Sequence, residues 1–549
     1  KFNIYMFYYY SMKKIYIPFF LTILAIVVAV YCWDRIVLPY NYENTIHGEY
    51  ALKKYNPNNE ILRYIFFISL PLITFFFIYK FLNKNETFTL KKVLMEKNSK
   101  KPNYENDYNL YLILFILILI LEFLSINFNE FSRHLDLFHE GLWLTASNNF
   151  YHNNGFWVSS YFARGLFGNF EPLILWNIFN VETIGFSKFS KFILLFMNKV
   201  ALIFLSMEIS KNILFEKNIK KSFFIILSLL AISLVQYDGS YDVSEFPTRS
   251  LMILLFFLVF FHSLYRGNTF SISYSLLGLF SVVSLIWYID IGAYINALLL
   301  IILLYFSLRN EKKKIASILV GIFLGWFIFY IIIPNHELVE FFESTKSMYL
   351  SMDYIHGLIY PTPFISGDTR STRALLLILL SGIFIILVLF NKKVKLSNSS
   401  KTFLLFTFIA SIIIFKTGLS RSDTPHIKTS SGLTFFLLYF FILYYVVNFK
   451  IVQSLNNKLI FNFNKIVKDN FIKTLIIFIL LGVIVFNKNI FNLKNIFVSF
   501  DTINKFVYFE DNRFLTDDYQ SLIKYYKKIN NKDNCVQIFT NETALPFLL

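Results

Sequence analysis

The feature that most limits this chain is the recurrence of apolar runs of about 16–20 residues. That is the length a helix needs to cross the hydrocarbon core of a bilayer. About thirteen such runs can be marked. They lie near 15–33, 61–79, 108–127, 191–208, 222–236, 250–265, 272–289, 291–308, 315–333, 373–391, 402–417, 432–448 and 472–487. Only 16% of the residues are charged and 56% are hydrophobic, whereas a soluble domain carries about 25% charged residues. In lipid the backbone must satisfy its own hydrogen bonds, so the runs predict helices. The expected fold is an all-α polytopic membrane protein with a small external α/β C-terminal segment. Residues 1–487 form the transmembrane domain and 488–549 the external segment. The start at Lys1 and the stop at Leu549 in mid-pattern predict a piece of a longer chain. The first run is long enough to anchor and does not read as a cleaved signal peptide.

The net charge is +17. A nucleic-acid-binding role needs a basic face on a soluble domain, and none is legible. The basic residues instead fill every second loop. Lys13 and Lys14 precede the first run, Lys91 and Lys92 follow the second, and Lys220 and Lys221 follow the fourth. Lys312, Lys313 and Lys314 follow the eighth, and Lys392 and Lys393 the tenth. By the positive-inside rule these loops are cytoplasmic. The N-terminus is therefore expected inside, and the tail outside with the segments 34–60, 128–190, 237–249, 334–372 and 418–431. Two cysteines, Cys32 and Cys535, exclude a disulfide framework and a zinc cluster.

The external segments hold the candidate chemistry. If residues 132–143 are helical, Asp136, His139 and Glu140 share one face. Leu135, Phe138 and Leu142 form an opposing apolar stripe suited to the membrane surface. A carboxylate at that boundary is partly desolvated and can serve as a general base; the same spacing also describes an ordinary interfacial helix. His139-Glu140 does not open an HExxH zinc motif, because position 143 is Trp143. Gly418 to His426 places Arg421, Asp423 and His426 in one short outer segment. Arg421 offers a planar fork of donors for a phosphate and His426 a donor or a proton; a polar turn with a local Arg–Asp pair fits equally. Asp238, Asp242, Glu245 and Arg249 precede the sixth run. Asp290 sits where two apolar runs meet, either as a true break or as a polar interruption in one long helix. A carboxylate there needs a partner, for which Arg249 and Arg421 are candidates. Lys199, inside the fourth run, either snorkels or faces the bundle interior. The stretch Gly357 to Phe364 reads as a pocket entrance or an interfacial aromatic belt.

These patterns resemble the GT-C superfamily of membrane glycosyltransferases, which includes protein mannosyltransferases and lipid A aminoarabinose transferases. The resemblance covers about residues 100–450 plus the tail. Asp136-Leu137-Phe138-His139-Glu140-Gly141 is similar to the acidic first external loop of that group, and Arg421-Ser422-Asp423-Thr424-Pro425-His426 resembles its late, phosphate-holding loops. It implies an inverting transfer of a sugar from a polyprenyl-phosphate donor to a lipid, glycan or protein acceptor. Asp136 or Glu140 would be the catalytic base. His139, Arg249, Asp290, Arg421, Asp423 and His426 would bind substrate and phosphate. No cofactor is required; a divalent metal near Asp136, His139 and Glu140 is compatible with the donor types. The expected location is a bacterial inner membrane. Two readings compete: a transporter or lipid flippase, and an O-antigen polymerase or ligase. Uninterrupted apolar runs with ionisable groups at one end favour surface chemistry over passage.

Overall fold

Helix formation over the apolar runs follows from composition: Leu, Ile and Phe dominate, with few Gly or Pro to interrupt them. The computed structural model describes residues 2–40, 48–82, 108–124, 134–137, 139–153, 165–213, 217–232, 246–266, 272–357, 363–364, 369–390, 394, 396–421, 424–448, 508–529 and 548. Among them the regular structure is helical and no strand occurs. In chain order the helices are α1 (Phe2–Trp33), α2 (Glu49–Leu52), α3 (Asn58–Leu82), α4 (Tyr108–Leu124), α5 (His139–Asn153), α6 (Leu166–Phe179), α7 (Ile184–Ile213), α8 (Lys217–Leu230) and α9 (Phe246–Arg266). They continue as α10 (Ile272–Trp287), α11 (Ile289–Leu308), α12 (Lys312–Ile332), α13 (Asn335–His356), α14 (Arg370–Phe390), α15 (Asn398–Ile414), α16 (Lys416–Ser420), α17 (Thr424–Ser430), α18 (Gly432–Asn448) and α19 (Asp517–Ile529).

Seven described segments are long and apolar enough to cross a membrane: Tyr16–Trp33, Asn58–Leu82, Ile184–Ile213, Ile289–Leu308, Lys312–Ile332, Arg370–Phe390 and Asn398–Ser420. The protein is thus an integral membrane protein. Four shorter apolar helices, Asn109–Phe123, Arg249–Tyr265, Ile272–Trp287 and Gly432–Tyr445, fall on other expected spans. The expected span 472–487 and residues 530–547 of the expected α/β C-terminal segment lie outside the described residues. The break at Asp290 is real: Tyr288 is extended between α10 and α11.

The main core runs through the bundle, where Phe256, Phe260, Phe403 and Phe406 are fully buried. Several buried hydroxyls bond within their own helices, as Ser206 donates to the Leu202 carbonyl (2.9 Å) and Thr407 to that of Phe403 (2.9 Å). Helices α10 and α12 cross backbone to backbone. A Cβ on Gly321 would strike the Ser275 carbonyl, and one on Gly278 that of Ile318. Gly321 and Gly325 form a small-xxx-small face, which allows this close approach in lipid.

A second, smaller core caps one end. Leu135, Leu144, Leu173, Trp176, Ile184, Phe514, Leu515 and Ile523 pack together there with Phe329 and Phe341. It joins α5, α6, the start of α7, the end of α12, the start of α13, and the tail. Several expected loops are therefore structured. Segment 128–190 contains α5 and α6, 334–372 contains the 22-residue α13, and 418–431 contains α17. The polar α5 and α13 and the short α6 and α17 escape a search for long apolar runs.

Candidate functional site at one end of the bundle

Residue Asp136 precedes α5 and does not lie within it, which corrects the expected single helical face. Its N–H donates to Glu140 Oε2 (2.8 Å), while its carbonyl accepts from the Glu140 N–H (2.9 Å). The first bond is the back-reaching half of a capping box, and the second is a backbone bond of the opening helical turn. Glu140 Oε2 also lies 3.2 Å from Lys188 Nζ, and both side chains are almost wholly buried. Leu135 is buried in the second core and does not lie on the membrane surface. The side chains of Phe138, His139 and Leu142 lie outside the described residues.

Lys188 stands in the first turns of α7, and Lys191 follows one turn later. The Lys191 ammonium lies 3.7 Å from the centroid of the Trp143 ring on α5. Facing it is Glu171 of α6, buried and receiving the Ser190 hydroxyl at 3.3 Å. Burial pushes the Glu171 carboxyl up to about 7, against the opposing pull of Lys191 and Ser190. The tail closes this cluster. Phe514 is fully buried beneath the Lys188 ammonium (5.4 Å to the ring centroid), and its carbonyl accepts the Leu135 N–H (2.6 Å). Asp511 accepts the Ile184 N–H (2.8 Å), satisfying a donor at the open start of α7. Burial raises the Asp511 carboxyl above the ordinary range, although that bond lowers it.

The second group lies alongside. Arg249 Nη1 meets Asp290 Oδ2 at 2.9 Å, with the guanidinium over the Tyr288 ring at 4.9 Å. Asp290 Oδ1 accepts the Ile291 N–H at 2.9 Å. The expected Arg249–Asp290 pairing is thus formed. Tyr294, one turn along α11, hydrogen-bonds the Thr417 hydroxyl (2.8 Å), and Thr417 accepts the Arg421 N–H through its carbonyl (3.3 Å). Lys416 pairs with Asp353 of α13 at 2.9 Å. Arg421 and His426 are both half-buried. Asp238, Asp242, Glu245 and Asp423 lie outside the described residues.

Gly165 joins the two groups. Its φ is +129°, and a Cβ there would stand 2.7 Å from the Trp287 carbonyl oxygen and from Tyr288 Cα. The start of α6 is thereby pressed against the residue beneath Arg249. Asn198 on α7 also donates to Ser250, the neighbour of Arg249 (2.6 Å). Asn198 is about 10 Å along α7 from Lys191.

Deeper in the bundle Lys199 ion-pairs with Glu122 of α4, both buried. Lys199 thus faces the interior and does not snorkel. Phe364, in the aromatic stretch, packs edge-on against Trp33 (5.2 Å).

Reading the sequence for external acids missed Glu171, Lys188, Lys191 and Glu122. Glu171, within the apolar helix α6, carries no signal of its own in the sequence. Lys188, Lys191 and Lys199 recur on one face of α7, which marks buried lysines with acid partners. Glu122 carries no signal beyond being an acid in an apolar run. Among the described residues no three His, Cys, Asp or Glu side chains gather as a metal site. No family profile, curated protein or solved structure matches the chain.

Proposed function

We propose that this is a membrane-embedded glycosyltransferase that moves a sugar from a polyprenyl-phosphate donor to a lipid, glycan or protein acceptor at the external face. The observation that carries the reading is the gathering of ionisable groups at one end of an apolar bundle. Asp136, Glu140, Glu171, Lys188 and Lys191 adjoin the Arg249–Asp290 pair through Gly165. The finer topology belongs to the same proposal: about thirteen spans, a cytoplasmic N-terminus, an external tail and a bacterial inner membrane.

Glu140 gives its carboxylate to Lys188 and to an amide, so it positions the loop. Asp136, half-buried at the edge of the cluster, is the base. It takes the proton of the acceptor hydroxyl as that oxygen attacks the anomeric carbon. The carbon–oxygen bond to phosphate breaks, and the polyprenyl phosphate leaves with the electron pair. Arg249, Arg421 and His426 stabilise that phosphate, with Asp290 and Asp423 orienting the cations.

In proteoliposomes supplied with polyprenyl-phosphate sugars, Asp136→Asn is expected to lower turnover about 10²–10⁴-fold. Glu140→Gln lowers it less. Full activity in both variants removes this loop from the chemistry. The second reading, a transporter or flippase, is favoured by one observation, the Glu122–Lys199 pair inside the bundle. Lipid flipping without turnover in the same vesicles would select it.

A further inference from the structure

Three buried groups in the outer cluster are electrostatically related but incompletely bonded. The Lys191 ammonium is drawn by Glu171 and Glu140. Yet among the described residues Lys191 Nζ and Trp143 Nε1, both shielded from solvent, have no hydrogen-bond acceptor. Glu171 receives only the Ser190 hydroxyl, at a long 3.3 Å. Burying a donor without an acceptor costs about 1–3 kcal/mol, and more for an ammonium. Lys191, its ammonium over the Trp143 ring and drawn to the underused Glu171 carboxyl, therefore marks a site whose remaining partner comes from outside the chain.

Charge selects the class of that partner. Asp136, Glu140 and Glu171 supply three carboxyls, against the ammoniums of Lys188 and Lys191. Lys188 is already held by Glu140 at 3.2 Å. The local balance carries no positive surplus, so a phosphate gains little there. A hydroxyl suits it well, because its oxygen accepts from an ammonium or an indole N–H while its proton goes to a carboxyl. We propose that Lys191, Glu171 and Trp143 form a subsite for a neutral, polyhydroxylated ligand of the sugar class, one hydroxyl bridging Lys191 and Glu171. The Glu171 carboxyl, near neutrality in its titration, accepts such a proton readily. The subsite rests on the transferase reading only for what the hydroxyl-bearing molecule is used for.

The test is a binding titration on the full chain in lipid nanodiscs. Emission from Trp143 is isolated by difference against Trp143→Phe. The probes are D-glucose, D-galactose, D-mannose and N-acetyl-D-glucosamine, with inorganic phosphate and pyrophosphate as the anionic arm. At least one neutral sugar is expected to shift Trp143 emission, and phosphate and pyrophosphate are not. Lys191→Met and Glu171→Gln should each weaken that sugar about tenfold or more. If Lys191→Met does not fold, Lys191→Gln is read with the same expectation. No response to any probe, a response to the anions alone, or a sugar response unchanged in both variants overturns the subsite. Sugar binding without transfer would sink only the transferase reading. Transfer that is indifferent to Lys191 and Glu171 would sink only the subsite.

Discussion

Glu171 shows how a buried side chain reports its surroundings. Its ordinary value is 4.5, and burial pushes it up to about 7. Between those values the folded protein holds a proton that the unfolded chain has released. Its contribution to stability is complete below about 4.5 and is lost as pH rises toward 7. The loss is on the order of 3 kcal/mol. Melting temperatures in detergent should therefore fall over that window in the wild type, and Glu171→Gln should remove that component. An identical slope in both proteins contradicts the assignment. Lys199 and Glu122 make the complementary case. Lys199→Met leaves a buried carboxylate without its ammonium and should cost about 3–5 kcal/mol. The double variant Lys199→Met/Glu122→Gln should recover most of it, as thermal unfolding of all four proteins in the cycle can show. An additive double variant would mean that the pair does not interact. The sequence makes Arg249 and Asp290 candidates for one another because an acid at a helix break needs a cation. It is silent on Lys191 and Glu171, since three-dimensional crowding from two separate helices, α6 and α7, creates their environment.

At the level of elements, span positions were readable because hydrocarbon thickness and helical rise fix the run length. The break before Asp290 was readable for the same reason: two runs met at a charge. The helices α5, α6 and α13 were not: α5 and α13 are too polar to stand out as spans, and α6, though apolar, has only 14 residues. The crossing of α10 over α12 had a legible trace in Gly321 and Gly325, spaced four apart. Gly321→Leu must push α10 off the Ser275 carbonyl, where even a Cβ finds no room. We expect loss of the monodisperse folded species in detergent, with several kcal/mol of destabilisation where it survives. Phe323→Leu, at an exposed position of the same helix α12, serves as the control. Unchanged melting of Gly321→Leu would show that the two helices do not pack through this face.

For the whole molecule, sidedness is the property from which the rest follows. In the topology we propose from the alternating basic loops, Cys32, at the end of α1, is external. In intact cells a membrane-impermeant maleimide should label Cys32 in a Cys535→Ser background, and Cys32→Ser should abolish the signal. Labelling only after permeabilisation reverses the topology and moves the whole charged cluster to the cytoplasm. The clamp between the tail and the loop also sets an order of events during biosynthesis. Ile184 waits 327 residues for the Asp511 carboxylate that satisfies its N–H. The translocon therefore releases the early loop, threads the later helices and only then delivers the segment that locks the loop in place. Throughout that interval the Ile184 and Leu135 N–H groups lack the acceptors that the tail supplies. A ribosome stalled before Asp511 leaves behind an inserted but unfinished protein, which quality-control proteases can distinguish from the finished one by a single undocked loop.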